Sequence, residues 1–288
     1  MLTTRIIGVI NILNDIAVQS INFTHYLPIG NPKIAVDYFD KWGIDEIVIL
    51  DINGSNKESS DLHHHLPKYI IDCQTPVAAG GGVRNLFDIE NLIRNGADKV
   101  VINSNAHINP KIIEQGSKEF GEQAIIISID VRKEGNEYIV FGNSGLNRLD
   151  LSLEEIILQA QDFGAGEIII NSIDRDGSKK GFDIKLFKLV KNLVSMPIIG
   201  IGGAGEPGHF VDALSSGTSG LAAGNFFHFT EHSVLMLKSY LVKNHHDIRL
   251  DTHADYTNAE FGLNNRLSSL SDKELESLRF DYIPQEKI

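Results

Sequence analysis

Four carboxylates and two glycine-rich loops hold most of the chemical potential of this sequence. Asp51 and Asp130 each close a β-branched, apolar run, and Asp174 and Asp176 lie in Ser172-Ile173-Asp174-Arg175-Asp176-Gly177 after another. A carboxyl at the end of a buried strand works as a general acid or base once burial raises its pKa. The same placement also suits simple capping of a loop. The loops are Gly80-Gly81-Gly82 and Gly202-Gly203-Ala204-Gly205. Glycines after a strand let backbone N–H groups approach an anion such as phosphate. Small polar strand ends follow one unit later, Asn103-Ser104 and Gly224-Asn225. Tight turns are the alternative use of these glycines. A separate set, Arg5, Glu46, Lys99 and Glu167, stands at the starts of four apolar runs. Two bases and two acids so placed form either a ring of ion pairs or a charged plug.

Other candidates are weaker. His63-His64-His65 is a poor metal site, because adjacent helical positions point about 100° apart, and it reads as a solvated helix start. Cys73 is the one cysteine, has no activating motif and reads as structural. No metal or cofactor is expected.

Positioning these groups requires strands alternating with helices. Strands are expected at 6–12, 46–52, 76–80, 99–103, 124–131, 167–173, 197–201 and 220–224, and helices at segments such as 86–95 and 153–163. Most of the strand runs are continuously apolar rather than alternating, which suits parallel strands covered on both faces. Eight of them favour a closed (β/α)8 barrel over an open doubly wound sheet. Every candidate carboxylate and glycine loop then lies at the C-terminal mouth, and the ionic set at the opposite end.

The chain also repeats. A shift of 121 residues superposes Gly43, Glu46, Ile47 and Ile49 on Gly164, Glu167, Ile168 and Ile170, and Pro76, Gly81, Gly82, Gly96 and His107 on Pro197, Gly202, Gly203, Gly217 and His228. At a slightly different shift Asn11 falls on Asp130. Two half-barrels joined head to tail follow. The duplication sets two glycine mouths on opposite sides of one opening, suited to a ligand with a phosphate at each end, and sets Asn11 facing Asp130. The barrel is expected over 1–252. The polar segment 253–288 reads as an extension with a helix near 271–280, begun by the Ser271/Glu274 capping box.

The bulk properties agree. The 288 residues carry a formal net charge of −12, which disfavours nucleic acid as a partner. No apolar run approaches the roughly 20 residues needed to span a bilayer. The start of the chain lacks a signal-peptide layout, and a single cysteine suits a reducing compartment, so a cytoplasmic location is expected.

Together these motifs resemble the cyclase subunit of imidazole glycerol phosphate synthase, from Met1 to about Leu250. The most specific pieces are the two glycine loops, Asp98-Lys99 through Asn103, Gly166-Glu167 through Gly177, and Phe227-His228-Phe229. The resemblance implies a glutaminase subunit docked at the N-terminal face of the barrel. Ammonia would pass a gate of Arg5, Glu46, Lys99 and Glu167, with Asp98 contacting the partner. At the mouth it would meet a bisphosphorylated ribulosyl-aminoimidazole carboxamide nucleotide, giving imidazole glycerol phosphate and an aminoimidazole carboxamide ribotide. Gly82, Asn103 and Ser104 match one phosphate site. Asp176, Gly177, Gly203, Gly224 and Asn225 match the other, the last two differing in residue type from the common pattern. Asp130 matches one catalytic aspartate and Asp51 lies beside the substrate. The second catalytic aspartate is replaced by Asn11, a cysteine by Val9 and a loop lysine by Gln19. An amide exchanges no proton near neutral pH. The alternative is an ammonia-delivering subunit for sugar amidation, forming acetamidino groups in surface polysaccharides with a separate sugar amidotransferase.

Overall fold

The computed structural model describes residues 3–54, 61–230 and 232–250, together with Lys273 and Ser277. Eight parallel strands close a barrel: β1 (Arg5–Leu13), β4 (Glu46–Asp51), β5 (Val77–Gly80), β6 (Lys99–Ile102), β7 (Ile125–Glu134), β10 (Glu167–Ser172), β11 (Ile198–Ile201) and β12 (Gly220–Ala223). Pairing of β7 with β10 and of β12 with β1 completes the circle. The expected eight strands are all present, with ends moved by up to three residues. Asn103 and Gly224 fall just past their strands, and Ile173 opens a short 3-10 turn.

Between the strands run α1 (Pro32–Lys41), α2 (Leu62–Tyr69), α3 (Leu86–Arg94), α4 (Ser104–Ile108), α5 (Lys111–Phe120), α6 (Leu153–Asp162), α7 (Ile184–Leu193), α8 (Pro207–Leu214), α9 (Asn225–His228) and α10 (Ser233–Lys243). Local chemistry sets several starts. Asn31, Asn85 and Asp183 accept backbone N–H bonds at the first turns of α1, α3 and α7, and Ser152 and Glu155 form a capping box on α6.

Side-chain alternation divides the apolar residues into two bodies. One lies between strands and helices and contains the fully buried Phe39, Phe187, Phe210 and Phe227. The other fills the barrel with Ile7, Val9, Val48, Ala78, Val101, Ile126, Ile169, Ile199 and Ala222. The Phe39 ring packs so close to Gly8 that a Cβ there would lie 2.5 Å from it.

Two hairpins interrupt the barrel pattern. After β1 the chain makes β2 (Ile16–Ile21) and β3 (His25–Gly30), and after β7 it makes β8 (Glu137–Gly142) and β9 (Asn147–Arg148). Asn14 and Asp15, both at positive φ, form the two-residue turn between β1 and β2. The hairpins follow the two strands that the repeat pairs. The duplication also holds in backbone detail, since Gly81 and Gly82 share positive φ with Gly202 and Gly203. The helix expected near 271–280 lies outside the described residues, apart from Lys273 and Ser277, which are helical.

Candidate active site

At the barrel's N-terminal end, the inward first residues of β1, β4, β6 and β10 meet. Arg5 reaches Glu46 through Nη1 and Glu167 through Nη2, the latter at 3.0 Å. Lys99 Nζ lies 3.0 Å from Glu46 Oε1 and 3.2 Å from Glu167 Oε1. Signs alternate around a closed ring. The Glu46 side chain is 3% exposed. Burial alone would lower the Arg5 pKa, but the two carboxylates outweigh it and the net shift is upward. Asp98, next to Lys99, is exposed, and its Oδ2 accepts the Val77 N–H at 2.8 Å.

At the other end a cavity of about 310 Å³ opens into the mouth. Asn11 on β1 and Asp130 on β7 both line it, from strands that lie four steps apart in either direction round the barrel. Asp130 is 5% exposed. Burial pushes its pKa up to about 6, against the pull of two amide donors, and the nearby Asp176 adds to the rise. Those donors are Asn103 Nδ2, 2.8 Å from Oδ2, and Asn171 Nδ2, 3.2 Å from Oδ1. A carboxyl poised near neutrality suits general acid–base work.

Of the expected phosphate residues, Gly82, Asn103, Ser104 and Asp176 line this cavity, as does Asp51. Gly177, Gly203, Gly224 and Asn225 do not. Gly203 packs on the Gly181 carbonyl, and Gly224 on that of Val9. Asp176 is itself engaged: its carboxylate accepts the Ser20 hydroxyl at 2.6 Å and the Phe23 N–H at 3.1 Å. Asp174 and Arg175 point elsewhere, into a separate recess with Lys133 and Asp183.

One expectation is overturned. His63 is not solvated but 2% exposed, and its Nε2 donates to the Gly81 carbonyl at 3.1 Å. Leu62, Leu66 and Tyr69 turn that face of α2 into the core and carry His63 with it. It thus supports the wall of the cavity. Burial lowers its pKa, so it holds this bond as a neutral imidazole. Among the described residues, no three His, Cys, Asp or Glu side chains converge as a metal site. Nor is any described helix long and apolar enough to cross a membrane. Burial raises the Cys73 pKa to about 12, which suits a structural thiol.

A family model described as "Histidine biosynthesis protein" matches residues 5–233. The chain belongs to this family. It is 38% identical over 260 residues to a putative imidazole glycerol phosphate synthase subunit hisF2 of Vibrio vulnificus (strain YJ016), covering 90% of this chain and 95% of the relative. It is 36% identical over 251 residues to the imidazole glycerol phosphate synthase subunit HisF of Thermotoga sp. (strain RQ2), covering 87% and 99%. Identity to the HisF subunit of Pyrococcus furiosus is 35% over 251 residues, covering 87% and 100%. The chain is HisF-like along the whole barrel.

Several lining residues of this HisF-like mouth had escaped sequence reasoning. Asn171 sits two positions after Ile169, so strand alternation alone could have pointed it inward. Tyr26, Phe23 and Ser20 come from the hairpin, and Ser144 from the β8–β9 turn, where no strand signal had been read. Arg84 also reaches the cavity, from the loop before α3.

Proposed function

We propose that this chain is the ammonia-using barrel subunit of a glutamine-dependent synthase of the imidazole glycerol phosphate type. A glutaminase partner docks on the N-terminal face, where Asp98 and the ionic ring are presented. Ammonia enters at Arg5, Glu46, Lys99 and Glu167, follows the barrel axis and meets a phosphorylated acceptor at the mouth. Asp130 exchanges the protons of the reaction there. The observation that carries this reading is the succession of three things along the barrel: a neutral ionic ring, an apolar interior and a buried carboxyl tuned to about 6.

Asn11 limits the chemistry. An amide opposite Asp130 takes up no proton, so turnover of the bisphosphorylated nucleotide falls by about 10²–10⁴ relative to a site with two carboxylates. The same substitution favours a second reading, in which the ammonia goes to another acceptor such as a sugar being amidated. Purified protein given ammonium salt and the bisphosphorylated nucleotide tests both. Slow cyclisation supports attenuated synthase chemistry, and none at all supports the second acceptor. Near-normal turnover would remove Asn11 from the argument. Failure of a co-expressed glutaminase to co-purify would count against the partner.

A further inference from the structure

The two carboxylates of the ionic ring are held differently from behind. Glu46 is the more deeply buried, its side chain 3% exposed against 13% for Glu167. The residue before each makes the same backbone bond. The Asp45 N–H donates to the Ile6 carbonyl at 3.0 Å, and the Gly166 N–H to the Ile125 carbonyl at 2.9 Å. Glycine at 166 has no side chain to add to this. Asp45 does: its Oδ2 accepts the Ile6 N–H at 2.7 Å. Both bonds therefore tie the residue before Glu46 to the residue after Arg5. Asp98 makes a matching bond to Val77 ahead of Lys99, but from an exposed position where water screens its charge. The Asp45 side chain is 8% exposed, and its counter-charge comes from outside the barrel. Lys238, midway along α10 and 1% exposed at its side chain, pairs its Nζ with Asp45 Oδ1. The same Nζ donates to the Gly43 carbonyl at 2.7 Å, in the turn that leads to β4.

We infer that Lys238 is a positioning residue for the ionic ring, acting through Asp45 to fix the backbone that carries Arg5 and Glu46. The inference rests on the reading that ammonia passes the ring. A buried ion pair adds little stability over well-packed apolar residues of similar volume, and its best-attested use is to fix register. Here the register is that of β1 against β4, which sets the Arg5 guanidinium against the Glu46 carboxylate. Without the ammonium, Asp45 is a carboxylate withdrawn from water, and it turns outward to regain solvent. The Ile6 N–H then loses its acceptor. Glu46, which also takes both of its contacts with Lys99 from this position, shifts with the strand end.

The test compares wild type with Lys238→Met and with the double variant Lys238→Met/Asp45→Asn, which leaves no unpaired charge and serves if the single variant does not fold. Leu241→Ala, which empties a fully buried position of the same helix without touching Asp45, controls for simple destabilisation. The first readout needs neither partner nor acceptor: the Arg5 side-chain Nε–H signal in NMR of the labelled full chain, identified by its loss in Arg5→Lys. It should shift or broaden in the Lys238 variants as it does in Lys99→Ala, and stay in place in Leu241→Ala. The second is the ratio of glutamine-driven to ammonium-driven turnover in the complex with a co-expressed glutaminase. It should fall by about 10–10²-fold in the Lys238 variants, the scale on which a misplacement of about 1 Å acts, and hold in Leu241→Ala. An Arg5 signal that is unmoved in the Lys238 variants, or moves equally in Leu241→Ala, overturns the inference. So does an unchanged ratio where Lys99→Ala lowers it. A ratio that Lys99→Ala also leaves unchanged refutes passage through the ring, and the inference falls with it.

Discussion

Replacing Asp130 by asparagine is expected to stabilise this protein above pH 6 and to leave it no more stable near pH 4. The Asp130 carboxyl moves from an ordinary 3.8 to about 6 on folding, with burial the main cause. A raised carboxyl pKa means that the folded state binds the proton more tightly. Its stability contribution is therefore complete below pH 3.8 and is lost as pH rises through 6. The full loss is about 3 kcal/mol, at about 1.4 kcal/mol for each pH unit between those two values. Asp130→Asn removes that penalty. The new amide keeps one acceptor oxygen, so one of the bonds from Asn103 and Asn171 is lost, at about 1 kcal/mol. The net gain at pH 8 is about 2 kcal/mol. At pH 4 almost nothing is gained and the missing hydrogen bond remains. Urea unfolding of both proteins from pH 4 to 8 gives the difference directly. A variant less stable than wild type at pH 8, or a difference flat across that range, would refute the electrostatic account of Asp130.

Three further outcomes are expected. Asn11→Asp should raise ammonium-driven turnover of the bisphosphorylated nucleotide by about 10²–10⁴, and an unchanged rate in steady-state assays would show that proton exchange at this position is not limiting. Lys99→Ala leaves Glu46 and Glu167 sharing Arg5 alone; it should depress glutamine-driven turnover more than ammonium-driven turnover and cost about 1–4 kcal/mol in urea unfolding. Equal loss from both nitrogen sources would count against passage through the ring. Gly177→Ala forces a side chain into positive φ and against Ser20, so a loss of about 1–3 kcal/mol and faster proteolysis within residues 16–30 are expected; a fully protected hairpin would show that this contact is not what holds it.

The barrel was legible because its strands are buried on both faces. Runs such as Ile125–Ile127 and Ile168–Ile170 have no polar face to confuse the pattern. The ionic ring was legible because Arg5, Glu46, Lys99 and Glu167 are charges at the heads of otherwise apolar runs. Asn11 and Asp130 were legible through the repeat. The hairpins were not: Gln19 and Ser20 pair with β3, and Ser20, Asn22 and Phe23 bond Asp176, which leaves a mixed sequence without clear alternation. Those tertiary bonds tie Asp176, which lines the cavity, to the hairpin. His63 misled for a different reason. Its apolar surroundings belong to α2 and the Gly81 loop, which its own sequence neighbours His64 and His65 do not reveal.

The ring at the barrel's foot has a consequence for what can travel through the protein. Four charges of alternating sign around an axis form a quadrupole, and on the axis itself their contributions cancel. An ion arriving there gains little from the ring, yet ahead lies a packed interior of isoleucine, valine and alanine, where shedding its water is prohibitively unfavourable. A small uncharged molecule meets no such desolvation cost. The ring therefore sorts by charge without carrying any. On the proposed reading, a nitrogen donor crossing it would leave its extra proton behind before reaching Asp130.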